Sequence, residues 1–99
     1  MFWDIDIKGG AVIYDDISYL PDLFRSHEHI EFLKEDMLQI RYQNGVLIDV
    51  SWRPSFSPNG SFYIAAVKNS DWSNPIAQVK VKDVQVTKAA IRKMISDLT

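Results

Sequence analysis

The chain has 99 residues, 46% of them apolar and 24% charged, with a formal net charge of −2 and no cysteine. This length fits one domain with a real core, and the composition excludes intrinsic disorder, disulfide frameworks, thiol catalysis and cysteine-held zinc. No run of about 18 apolar residues is present to span a bilayer, and residues 1–6 lack the basic start and apolar stretch of a signal peptide, so a cytosolic address is expected.

In chain order, residues 2–8 alternate, with Trp3, Ile5 and Ile7 on one side and Asp4, Asp6 and Lys8 on the other, which predicts a half-buried strand. Gly9-Gly10 marks a turn, and Ala11 to Tyr14 is expected to return as the second arm of a hairpin. The spacing Ile17, Leu20, Leu23, Phe24 is helical, with Pro21 in the first turn and Asp16 or Ser18 as N-cap. Residues 26–36 are polar and read as loop with some helix.

Leu38, Ile40 and Tyr42 then alternate against Val46, Ile48, Val50 and Trp52 across Asn44-Gly45. A two-residue loop would set Ile40 opposite Asp49 and mix the faces. A three-residue loop, Gln43-Asn44-Gly45 with Gly45 left-handed, pairs Leu38 with Val50, Ile40 with Ile48 and Tyr42 with Val46, so burial selects it. Residues 53–60 carry Pro54, Pro58 and Asn59-Gly60 and are predicted as loop. Residues 61–68 are apolar on both faces and predict a central strand. After a second loop, residues 69–75, residues 76–82 predict an edge strand with Ala77, Val79 and Val81 inward and Gln78, Lys80 and Lys82 outward. Thr87 is the expected cap of a C-terminal helix, with Val86 and Ile91 as a hydrophobic staple and Ile91, Met94, Ile95 and Leu98 as its apolar stripe. The fold class is α+β: a single domain over residues 1–99, with a twisted antiparallel sheet of four to six strands, a helical segment after the first strand or hairpin, and a C-terminal helix.

Charge is unevenly placed. Residues 1–36 hold nine acids and three bases, a net −6, whereas residues 37–99 hold four acids and eight bases, a net +4. An acidic first third repels phosphates and attracts a basic partner, chiefly by speeding association. Metal binding would have to use His27-Glu28-His29 with Glu31, which lacks the H-E-x-x-H spacing, so no metal or cofactor is expected. The nucleophile elbow G-x-S-x-G is missing, and Ser51, Ser55, Ser57 and Ser61 suit turns. Asp49 with Asp71 is a candidate carboxylate pair only if the fold joins them. There is no G-x-G-x-x-G and no P-loop lysine, and net negative charge opposes nucleic acid. The chain is therefore expected not to be an enzyme.

The remaining signal is aromatic. Trp52 and Phe56 border one Pro-containing loop and Trp72 sits in another, where each either folds back on the core or anchors an interface. The strings Asp49-Val50-Ser51-Trp52-Arg53-Pro54 and Asn69-Ser70-Asp71-Trp72-Ser73-Asn74-Pro75 have the character of family motifs. As a whole the chain is short, acidic, free of cysteine, α+β and aromatic-rich. In this it resembles the small bacterial immunity proteins of contact-dependent growth inhibition and related polymorphic toxin systems. That resemblance implies a cytoplasmic, non-enzymatic protein that neutralises a cognate toxin, a basic nuclease domain, by occluding its active cleft. The expected partner-binding residues are Asp15, Asp16, Asp22, Glu28, Glu31, Glu35, Asp36, Trp52 and Trp72. Two alternatives stand beside it. One is a structural or regulatory module that homodimerises through a sheet edge or the Trp72 loop, and the other a ligand carrier with a cavity lined by Tyr42, Trp52 and Tyr63.

Overall fold

Five strands run in order across one antiparallel sheet, β1 (Ala11–Asp15), β2 (Leu38–Arg41), β3 (Val46–Arg53), β4 (Ser61–Lys68) and β5 (Ala77–Val81), followed by a helix, α1 (Val84–Leu98). The architecture is thus α+β in one compact unit, seen in a computed structural model that describes residues 5–20, 28 and 30–99, and of Tyr19 only the backbone. Short 3-10 turns occupy Ile17–Tyr19 and Ile30–Phe32.

The β2–β3 hairpin has the register that burial demands. Leu38 lies opposite Val50 and Ile40 opposite Ile48, the Tyr42 amide donates to the Val46 carbonyl, and Gly45 takes φ +91°. That φ is the left-handed region a three-residue loop needs at its last position, where glycine carries no Cβ penalty. One sheet face follows directly from alternation. Ile40, Ile48, Val50, Trp52, Phe62, Ile64 and Ala66 are buried there, and Val84, Ile91, Met94 and Ile95 of α1 join the same cluster. Ile5, Ile17, Leu20, Leu33 and Met37 extend it.

Several elements differ from the sequence expectation. Residues 5–7 keep their alternation, with Ile5 buried and Asp6 exposed, yet they form no strand, and β1 pairs with β2 instead. The helical spacing after Asp16 yields one 3-10 turn within the described residues. Asp16 holds the N-cap position as expected but makes no side-chain cap hydrogen bond; the neighbouring Asp15 accepts from the Ser18 amide at 3.0 Å instead. Helix α1 starts earlier than expected: Asp83 is the N-cap, accepting from the Val86 amide at 2.9 Å. Thr87 is instead buried inside the helix with its hydroxyl donating to the Asp83 carbonyl, and Val86 is exposed, so no staple forms with Ile91. An aspartate accepts this hydrogen bond as well as a threonine does, and starting at 84 brings Val84 into the core.

Candidate functional site

With α1 covering one face of the sheet, the other face carries the polar chemistry. Its rows are Gln39, Asp49, Ala65 and Gln78 across β2 to β5, and Ser51, Tyr63 and Lys80 across β3 to β5. Strand β1 contributes Tyr14 through a bulge. Val12 lies opposite Ile40 and Tyr14 opposite Gln39, so Ile13 is the extra residue. Strict alternation would put Tyr14 on the same side as Val12, in line with Ile40. The inserted residue turns it to the outer face instead.

There the Tyr14 hydroxyl lies 3.2 Å from Asp49 Oδ1 and 3.5 Å from Asp36 Oδ1. Burial, then the two neighbouring carboxylates, raise the Tyr14 pKa well above the ordinary 10.0, so it remains a hydrogen-bond donor. Burial also raises Asp49 above the ordinary 3.8, an effect that hydrogen bonds from Tyr14 and Gln39 offset only in part. A carboxylate kept half-buried against its own desolvation is a common mark of a functional position.

Asp49 also lines a cavity of about 270 Å³ with Ser51, Tyr63, Trp72 and Gln78. Trp72 is 50% exposed and forms its wall from the β4–β5 loop. That loop is held in shape by Asn74 Nδ2 donating to Asp71 Oδ2 at 3.3 Å and by the Asn69 amide donating to the Gly45 carbonyl at 2.9 Å. Arg53 and Lys80 both lie over the Tyr63 ring, at 5.9 and 5.6 Å from its centroid.

The acidic residues meet this face at one end. Glu28, Glu31, Glu35 and Asp36 are exposed. The segment that carries the last three runs alongside β3: the Met37 amide donates to the Val50 carbonyl, the Trp52 amide to the Lys34 carbonyl and the Phe56 amide to the Leu33 carbonyl. Phe56, 55% exposed, is therefore held by its main chain against the segment that carries these carboxylates. Asp15 and Asp16 sit close by, since the Asp16 and Ile17 amides both donate to the Met37 carbonyl. Asp15 is occupied by Ser18 and Asp16 faces Lys34 Nζ at 3.5 Å. Asp22, His27 and His29 lie outside the described residues.

Trp52 leaves the expected contact set. It is 1% exposed, packs edge-on to Phe62 at 4.8 Å, and donates its indole N–H to the Ser57 carbonyl at 2.8 Å. Its place in the alternation of β3 sends it inward, and its loop position is taken by Phe56. The expected ligand cavity of Tyr42, Trp52 and Tyr63 does not form either, because the first two face the core and Tyr63 faces the other way. The Tyr42 hydroxyl is buried with no hydrogen-bond partner among the described residues, and burial pushes its pKa up to about 12. Asp49 and Asp71 do not pair with each other: Tyr14 and Gln39 hold the first, Asn74 the second. The role of Tyr14 was invisible in sequence, since nothing in Ala11 to Asp15 signals a bulge.

An Asp49→Asn variant tests the electrostatics. Folded Asp49 holds its proton to higher pH than an unfolded aspartate does, so stability falls as pH rises from about 3.8 through the raised folded value. The variant is expected to be more stable than the parent at pH 7 and to lose that advantage as pH is lowered through this window, read by thermal melts across pH. A variant less stable than the parent at pH 7 would refute the assignment.

Comparison with protein-family models, curated proteins and solved structures yields no match to this chain.

Proposed function

We propose that this chain is a non-enzymatic binding protein that neutralises a cognate toxin, a basic nuclease domain, by occluding its active cleft with an acidic, aromatic-anchored surface. The observation that supports the reading most is the continuity of the surface. The Phe56 amide donates to Leu33 in the segment that carries Glu31, Glu35 and Asp36, Asp36 reaches Asp49 through the Tyr14 hydroxyl, and Asp49 shares a cavity with Trp72. One surface thus carries two exposed aromatic rings, Phe56 and Trp72, together with these carboxylates. Aromatic anchors supply most binding energy in protein interfaces, while the carboxylates steer a cationic cleft toward them. Arg53 also lines the cavity of Asp49 and Trp72, and with Lys80 it lies over the Tyr63 ring, so two cations stand within this surface beside the carboxylates.

The test is capture of partners from cells expressing the tagged chain together with the products of its neighbouring genes, identified by mass spectrometry. The expected result is an equimolar complex with the C-terminal fragment of a large secreted protein. Glu28→Lys, Glu31→Lys and Glu35→Lys combined should then slow association at least about ten-fold at low salt, with a smaller effect on dissociation. Asp15 and Asp16 are left intact because they hold the local turn and its ion pair. Association unchanged by all three reversals would remove the acidic surface from the mechanism.

A further inference from the structure

The two edges of the sheet differ. At β1 the register breaks at Ile13, and such a bulge is a device that discourages edge pairing. At β5 all five residues keep unbroken register with β4, so the outer side of the strand is a regular, straight edge. Lysines on an edge normally repel a second strand. Here both are turned back on their own sheet: Lys80 Nζ sits over the Tyr63 ring, and Lys82 Nζ donates to the Asn59 and Gly60 carbonyls, each at 3.1 Å. Beside this edge runs an apolar groove of about 380 Å³ between β5 and α1, lined by Ile76, Val79, Ala90, Met94 and Leu98, with Ile76 46% and Val79 36% exposed.

From this edge we infer that β5 is the interface for a second copy of this chain, joined antiparallel about a two-fold axis at Val79 to form a continuous ten-stranded sheet. The occupant follows from the self-complementarity of the strand. In that register Val79 meets its own equivalent, Ala77 meets Val81, and Gln78 meets Lys80, so apolar residues face apolar ones and no lysine faces a lysine. Val79 shares its groove with Lys93 and Asp97 of α1. About this axis the second α1 runs antiparallel on the same face, so the two copies present this pair in opposite order. Within one copy these two already form an exposed ion pair at 2.9 Å, a charge pattern that is its own complement under this rotation. The acidic segment adjoins β3 on the β2 side, so both copies keep it free. Gln78 lines both this edge and the cavity of Asp49 and Trp72, so Val79→Lys, on the α1 side of the strand, and the amide exchange of β5 are the readouts that separate failure of the dimer from failure of the toxin reading.

Sedimentation equilibrium of the purified chain, from about one to a few hundred micromolar, is expected to show reversible dimerisation. Amide exchange in β5 should slow as concentration rises, which tests the edge with no variant at all. Register is tested at one position: Gln78→Glu faces Lys80 of the other copy and should tighten the dimer roughly five-fold, and Gln78→Lys should weaken it by a similar factor. Val79→Lys, which sets two ammonium groups at the axis, should give a monomer with an unchanged circular dichroism spectrum. A monomer at every concentration overturns the inference, as does a dimer whose β5 amides exchange at the monomer's rate. So does tight capture of a foreign extended peptide on β5 in place of self-association.

Discussion

Trp52→Ala is expected to lower the unfolding free energy by about 4 kcal/mol, a fall of roughly 20 °C in melting midpoint for a domain of this size. Three losses add up. The fully buried indole leaves a cavity, its edge-on contact with Phe62 disappears, and the Ser57 carbonyl loses its donor. The site has little means of closing over the void, since Gly60 already lies against the indole: a Cβ there would come within 2.6 Å of Nε1 and 2.7 Å of the Arg53 carbonyl oxygen. Trp52→Phe should cost less, about 1–2 kcal/mol, because it keeps a ring against Phe62 and forfeits the hydrogen bond to Ser57. Denaturant unfolding of the two variants beside the parent checks both values. A loss below about 1 kcal/mol for the alanine variant would contradict the burial of this ring.

Trp72→Ala is expected to do the reverse, changing stability by no more than about 0.5 kcal/mol while weakening partner binding about 30-fold or more. The ring is half exposed on a loop whose shape comes from other residues: Asp71, Asn74, and the Asn69 amide on Gly45. Left-handed backbone at Asn69 (φ 54°) and Ser70 (φ 62°) fixes the loop's direction over the sheet. An anchor presented on a fixed loop loses little conformational freedom on binding, so its buried area converts well into affinity. Calorimetry with the captured partner, paired with thermal melts, separates the two effects. Equal losses of stability and affinity would make Trp72 a packing residue.

The contrast between these two tryptophans shows what was legible in the sequence. Alternation through Val46, Ile48, Val50 and Trp52 placed the last of them on the buried side, and the structure keeps it there. The expectation of a contact at Trp52 rests on the proline loop that follows it, and the period of the strand overrides it. The β2–β3 register was readable because a one-residue slip would have set Ile40 opposite Asp49 and mixed the buried and polar faces. Central β4 and edge β5 were readable for the same reason, from one face or two being apolar. What escaped was set by tertiary pairing. Residues 5–7 alternate like a strand but form no ladder with β1, which among the described residues pairs with β2. Tyr14 reaches Asp49 only through an extra residue that leaves no mark on composition or spacing. Asp83 and Thr87 are both capping types four residues apart, and propensity alone does not choose between them.

The acidic segment is fastened to β3 by main-chain hydrogen bonds, the Met37 amide donating to Val50 and the Lys34 carbonyl accepting from Trp52, and by the buried side chains of Leu33 and Met37. None of these hydrogen bonds depends on which side chains stand at positions 31, 34, 35 and 36, all of them exposed. The scaffold and the lettering of this surface are therefore separable. Charges can be added, moved or reversed along the segment while its path stays the same, and recognition can be redirected to a differently charged partner without a new fold.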